Sequence, residues 1–353
     1  MPLVTYEDAK PYAARMAAHT AERHMPPMPV DNSGDCNTYS NARWLTDEQI
    51  AVIASWAEQG APPGDPALAP PAPQPPPGLG TPDLVLDPGV DYTPSTALDD
   101  DYRCFIIPMP VTEAAFLTAF DVEPGQPLIV HHVIVYQPRN DTGSANARAR
   151  DDAEEGPGYT CFGGTGVGSD PVVIWAPGGG VVEMPSGTGI QLLPDRDLIM
   201  QVHYNTDAGA LPDRTRVNLR LTTEAITPAI YQPVMTEDLE LAPGMPSVEA
   251  QGTIMAGGIA VMAHGVLPHM HTLGRTMRVE ALTSDGSSLC LTNVDRWDFH
   301  WQNAWWYDTP LGGNIDSVTI RCSYDTSERT ETVFWGEGTQ DEMCLAYFYV
   351  TAG

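Results

Sequence analysis

Residues 197–205 read DLIMQVHYN. Alternation along this stretch puts Met200, Val202 and Tyr204 on one face and Gln201, His203 and Asn205 on the other, the period-two pattern of a half-buried β-strand. Outward from it, LIVHHVIVYQ (128–137), RVNLRLTT (216–223), RTMRVEALT (275–283) and VFWGEGTQDEMCLAYFYV (333–350) are rich in β-branched and aromatic residues and are separated by Gly and Pro. From residue 83 onward the chain therefore reads as all-β. Its length predicts a mainly β protein of two tandem antiparallel β-sandwich, jelly-roll-like domains, 83–225 and 226–353. The join falls where a strand ends at Thr222 and Pro228 and Pro233 follow. No period of about 20 to 50 residues recurs, which argues against a propeller or solenoid.

Residues 1–62 differ. EDAKPYAARMAAHTAERH and TDEQIAVIASWAEQ space apolar residues near the helical period, predicting two helices. Thr46 is placed to cap the second, and Gly60 and Pro62 to end it. Residues 63–82, PGDPALAPPAPQPPPGLGTP, predict a stiff, extended, proline-rich linker.

Composition excludes several functions. Lys and Arg number 17 against 46 Asp and Glu, a net charge of −29, so nothing steers the chain onto nucleic acid or an anionic membrane. No apolar run reaches the roughly 18 residues of a membrane span. The 6 cysteines form no CxxC or CxxCH, which disfavours zinc ribbons and haem attachment and favours disulfides. Disulfides predict an exported protein, periplasmic or extracellular, with its export signal upstream of this sequence or removed from it.

Five of the 9 histidines fall into three patterns, His131-His132, His203 and His269-Met270-His271. His203 points away from its strand's apolar face, and His269 and His271, two apart, project from one side of an extended segment and can share a metal ion. Ideal strand neighbours point to opposite faces, so His131 and His132 require a bend in their strand or an ion off its edge. In DEMCLAYFYV, Met343, Leu345 and Tyr347 share one face and Cys344, Ala346 and Phe348 the other. Alone, each histidine reads as structural and Met343 as core. His264 and His300 read as structural hydrogen-bonding groups, His19 and His24 as surface, and the tryptophans 297, 301, 305 and 306 as core packing.

The order of these motifs resembles the copper type II, ascorbate-dependent monooxygenases, the family of dopamine β-monooxygenase and peptidylglycine α-hydroxylating monooxygenase. The resemblance runs from about Tyr102 to Val350 through VHHVIVYQ, WAPGG (175–179), QVHYN, HMHTLGR, RCSYDT and DEMC. It implies that His131, His132 and His203 hold an electron-relaying copper, and that His269, His271 and Met343 hold the copper at which O2 meets substrate, the two facing each other across a solvent-filled cleft. Imidazole serves both copper oxidation states, and a thioether favours the reduced one. It further implies two coppers per chain, O2 as co-substrate, ascorbate or another external one-electron donor, a small-molecule substrate, and disulfides Cys104–Cys161 and Cys322–Cys344. Cys36 and Cys290 have no assigned pairing. The peptide-amidating branch grips a carboxylate through an Arg, an Asn and a Tyr where this chain has Leu267, Leu345 and Tyr347, so these three are expected to line a pocket for an uncharged substrate. A competing reading keeps the ligands but makes the chain a non-catalytic copper-binding or electron-transfer protein. Residues 1–62 resemble the second half of a bacterial c-type cytochrome domain, with Met25-Pro26-Pro27 before the last helix and no haem-binding CxxCH. Met25 or Met28 could be an axial ligand only with an upstream half.

Overall fold

A computed structural model describes residues 3–69, 71, 78–97 and 99–353. Much of the proline-rich stretch lies outside the described residues. Its described part contains a short 3₁₀ turn, Pro66–Leu68, started by Asp65, whose carboxylate accepts from Ala67 N.

The chain is mainly β, and two sheets carry the architecture. A five-stranded sheet runs, edge to edge, Tyr159–Thr160, Asp100–Ile107, Leu198–Asn205, Val130–Pro138, Ser169–Trp175, every pair antiparallel. Opposite it, Leu84–Leu86, Arg216–Thr222, Ala115–Glu123 and Thr188–Leu192 begin an eleven-stranded sheet. That sheet crosses to Thr227–Thr236 by a three-residue parallel pairing, Thr227 to Ala229 against Thr188 to Ile190. It then continues through Cys344–Ala352, Val248–His269, Trp305–Tyr324, Gly274–Thr283 and Ser288–Val294. The backbone groups on both sides of that junction are thus paired in one ladder, which ties the two halves together.

Two large apolar cores follow among the described residues, beside a smaller cluster around Tyr102, Cys104, Tyr159 and Ile199. Met200, Val202 and Tyr204 enter one with Phe120, Val133 and Leu219. Val234, Val266, Met277, Ile320 and Phe348 belong to the other. One helix, Asp141–Asp151, interrupts the stretch that reads as all-β, capped by Asn140, whose side chain accepts from Gly143 N. Its sequence, DTGSANARARD, buries only small residues and so lacks an apolar stripe.

In the N-terminal segment Pro11 splits the first expected helix into Tyr6–Ala9, a 3₁₀ turn and Ala13–Ala21. Thr46 and Gln49 form a capping box on Asp47–Glu58. The stretch between the helices is part of the second core: Val30 and Tyr39 are buried there, and Met28 packs against that core. Val30 bridges to Val294 and Tyr39 to Tyr307, and Cys36 is disulfide-bonded to Cys290. Met25 is exposed. Cys104–Cys161 and Cys322–Cys344 are also bonded, leaving no free cysteine among the described residues. No helix among them is long and apolar enough to cross a membrane.

Candidate metal centre

His131 and His132 reach the same space because their strand carries a bulge. Pairing with Leu198–Asn205 runs Val130 to Tyr204 and then His132 to His203, so His131 is an extra residue with no partner across the ladder. A bulge re-aims side chains that ideal pleating would send to opposite faces. His132 Nδ1 consequently lies 3.2 Å from both His131 Nδ1 and His203 Nδ1. A neutral imidazole carries one N–H, and a proton on His132 Nδ1 can point at only one of those neighbours. Three converging nitrogen lone pairs are better satisfied by a cation than by a proton.

His203 is fixed from behind. Its Nε2 lies 2.8 Å from Asp100 Oδ1, so Nε2 donates and Nδ1 is left with its lone pair facing the other two rings. Asp100 also accepts from Thr339 N at 2.9 Å and Thr339 Oγ1 at 2.7 Å. Tyr102 stacks on the His203 ring at 4.0 Å between centroids, and its hydroxyl donates to Glu337 O. Burial, then the neighbouring imidazoles, pushes His131 down to about 3 and His132 well below the ordinary range. Burial also lowers His203, against the pull of Asp100.

The second histidine pair presents the other ring nitrogen. His269 ends the strand Val248–His269, and its Nδ1 donates to Gln302 Oε1 at 2.6 Å. His271 Nδ1 donates to Asp341 O at 3.0 Å. Both Nε2 atoms are thereby left as acceptors, and burial lowers His269 to about 3 and His271 to about 4. Leu267 and His269 pair with Tyr347 and Leu345 of the last strand, whose first residue, Cys344, follows Met343. Glu342 fastens the two segments: its buried carboxylate accepts from His271 N at 2.9 Å, Leu273 N at 2.6 Å and Met343 N at 3.2 Å. Burial outweighs those bonds and raises the Glu342 carboxyl to about 7. Trp297 Nε1 donates to His271 O at 3.0 Å, and a Cβ on Gly274 would meet Met270 and Trp297 at 2.8 Å, which explains a glycine in HTLGR.

Both groups line one cavity of about 120 Å³, to which His131, His132, His269, His271 and Met343 contribute. Leu267, Leu345 and Tyr347 form part of the same wall, with Tyr136 and Glu337, and among the described residues no Lys or Arg lines it. The His132 and His269 ring centroids stand 6.5 Å apart. The two groups thus face each other across this pocket.

Asp100, Gln302, Glu342 and Phe299, which stacks on His131 at 4.9 Å, carry no signal in the sequence, because cross-strand register and loop closure bring them in. His264 Nε2 lies 3.0 Å from Thr351 Oγ1, and His300 is exposed beside Asp298. Trp297 and Trp305 are core residues, and Trp306 packs against the first core.

Residues 221–351 match the family described as copper type II ascorbate-dependent monooxygenase, C-terminal domain. Mouse (Mus musculus) DBH-like monooxygenase protein 1 is 27% identical over 255 residues, 64% of this chain and 40% of the relative. Its chicken (Gallus gallus) counterpart is 25% identical over 281 residues, 70% of this chain and 44% of the relative. Tyramine beta-hydroxylase of Caenorhabditis briggsae is 23% identical over 286 residues, 72% of this chain and 46% of the relative. The chain spans about half the length of these curated relatives. The infectious bursal disease virus VP2 subviral particle aligns over 76% of this chain and 71% of that one, at 10% identity and a TM-score of 0.20, too low to carry any conclusion. Through the family match over residues 221–351 and these relatives, the chain is similar to the copper type II, ascorbate-dependent monooxygenases.

Proposed function

We propose that the protein hydroxylates a C–H bond of a small organic substrate, using O2 and two electrons from ascorbate or another external one-electron donor. The overall change is R–H + O2 + 2e⁻ + 2H⁺ → R–OH + H2O. The observation that carries it is that both ligand groups open onto the pocket walled by Leu267, Leu345 and Tyr347. The donor sets fit copper: three convergent Nδ1 lone pairs on one side, and two free Nε2 atoms with a nearby thioether on the other. In this reading His131, His132 and His203 hold one ion and His269, His271 and Met343 a second. Bound copper supplies one-electron redox chemistry at both places.

The protein's own residues do the rest. Asp100, Gln302 and the Asp341 carbonyl fix which nitrogen of each ring is free. The apolar wall excludes water from the reacting carbon. With no Lys or Arg on the wall, a substrate carboxylate would be buried without a cation, at a penalty of several kcal/mol. The reading therefore favours uncharged substrates over glycine-extended peptides. Two sandwiches, 83–225 and 226–353, would each supply one ligand group, with Ala229, Tyr231, Leu267 and Tyr349 of the second completing the core of the first. Three disulfides fit an exported protein, periplasmic or extracellular.

The test is O2 uptake by copper-loaded protein with ascorbate, across neutral aromatic and aliphatic compounds and a glycine-extended peptide. Uptake that rises with a neutral compound and matches hydroxylated product in amount is expected. Copper binding with uptake indifferent to every compound would instead establish a binding or electron-transfer protein, and efficient peptide hydroxylation would refute the pocket assignment.

A further inference from the structure

His19 and His24, which read in the sequence as separate surface residues, meet in the structure. The helix Ala13–Ala21 ends two residues beyond His19, and Glu22 follows as its cap. Arg23 then takes a positive φ of 53°, a conformation a bulky side chain rarely adopts, and turns the chain back. His24 N and Met25 N both donate to His19 O, at 2.8 and 3.2 Å, which locks the reversal. As a result His24 Nδ1 lies 3.2 Å from His19 Nδ1 and 3.2 Å from Glu22 Oε2. The Arg23 guanidinium is drawn away from the cluster, to Leu45 O, Asp47 Oδ1 and the face of Trp44.

This repeats the arrangement at His132, one Nδ1 flanked by two further lone-pair atoms at 3.2 Å. One proton on His24 Nδ1 cannot serve both neighbours, so a bare hydrogen-bond account leaves one contact lone pair against lone pair. A cation satisfies all three atoms, and the chain's net charge of −29 favours its approach. Two imidazoles and a carboxylate are a donor set for a borderline first-row divalent ion. The cluster is also anchored to the body of the protein, since Arg296 Nη1 donates to Glu22 O at 3.2 Å.

We propose that His19, Glu22 and His24 form a further metal site, for a divalent ion of the zinc or copper(II) class, that clamps the end of the helix Ala13–Ala21 onto the segment leading into the second core. The site is independent of the proposed oxygenation.

Metal-free full-length chain is titrated with Zn²⁺ against a colorimetric chelator, beside His19→Ala/His24→Ala, Glu22→Gln and His300→Ala. The parent should bind one equivalent more than the double variant, Glu22→Gln should weaken that equivalent by about tenfold, and His300→Ala should match the parent. Zn²⁺ should also slow tryptic cleavage after Arg23 several-fold in the parent and leave the double variant unchanged. Equal stoichiometry in parent and double variant, or protection by Zn²⁺ in both, overturns the site. Because the count compares variants of the same protein, it does not depend on whether the pocket histidines bind copper, which Met343→Ala and its activity test separately.

Discussion

The two histidine groups that share the pocket are built on different principles. The first comes from regular sheet: two neighbouring strands, one bulge, and a carboxylate on the next strand along fix three Nδ1 atoms within hydrogen-bond distance. The second sits where strands end, and its rings are aimed by Gln302 and Asp341 while Glu342 holds the backbone. A site made from a ladder inherits the ladder's rigidity, whereas a site made from loop ends depends on a few buried polar contacts. The first group should therefore tolerate changes in its surroundings better than the second.

The largest effect separates them at the ligand itself. Met343→Ala should reduce substrate-dependent oxygenation at least about 100-fold with little loss of fold, since the side chain faces the pocket wall. Product formation and far-UV circular dichroism on copper-loaded protein check both halves, and wild-type turnover would remove Met343 from the site. Next, Glu342→Ala leaves three buried N–H groups without their acceptor, with an expected loss of about 3 kcal/mol in urea unfolding. His269 and His271 should lose metal affinity and His131, His132 and His203 should keep it. Equal loss at both groups would show that the ladder-borne site depends on these buried contacts as much as the loop-borne one.

The same contrast governs what the sequence made legible. Strand alternation places His203 opposite Met200, Val202 and Tyr204, and the structure has these residues in that arrangement, because alternation is a local property of extended chain. The difficulty over His131 and His132 is resolved by a bulge that exists only in the register between two strands, which no local pattern encodes. Asp100 and Gln302 are beyond such reading for the same reason: they meet His203 and His269 across 103 and 33 residues. Cys36 and Cys290, 254 residues apart, pair because the N-terminal segment is threaded into the second core. The helix Asp141–Asp151 escapes because it docks through small residues and Arg148–Asp197 contacts, and carries no apolar stripe.

Acid should act on both groups together in the metal-free protein. Burial holds His131, His269 and His271 at about 3, 3 and 4, below the ordinary 6.5. Between those values the three rings bind more protons in the unfolded chain than in the folded one, so their contribution is full above pH 6.5 and falls as pH drops from there toward 3; Glu342, raised from its ordinary 4.5 to about 7, acts in the opposite sense between those two values and offsets part of the loss. Urea midpoints of chelated protein at pH 7.5, 5.5 and 4.5 should decrease in that order. A flat profile would mean the imidazoles are more hydrated than their burial indicates.

The smallest effects test where the two groups stop being separate. Asp100 orients His203 from the first sheet, yet it also holds Thr339, two residues from the Asp341 carbonyl that orients His271. Asp100→Asn keeps the shape but removes the charge that fixes the His203 tautomer, and should weaken copper at the first group by about 10- to 100-fold. Thr339→Val removes only the hydroxyl bond and leaves the Thr339 N–H on Asp100, so a loss of about 1 kcal/mol, a few-fold in affinity, is expected. Chelator competition with copper resolves the two groups when Thr339→Val is measured both in the parent, where both groups bind, and in the Met343→Ala background, where only the first does. An effect of Thr339→Val confined to the first group would show that Asp100 uses the loop only as a brace. Weakening at both would show that the rigid site and the loop-borne site are coupled through this carboxylate, and the contrast between them would then hold for how they are built but not for how they respond.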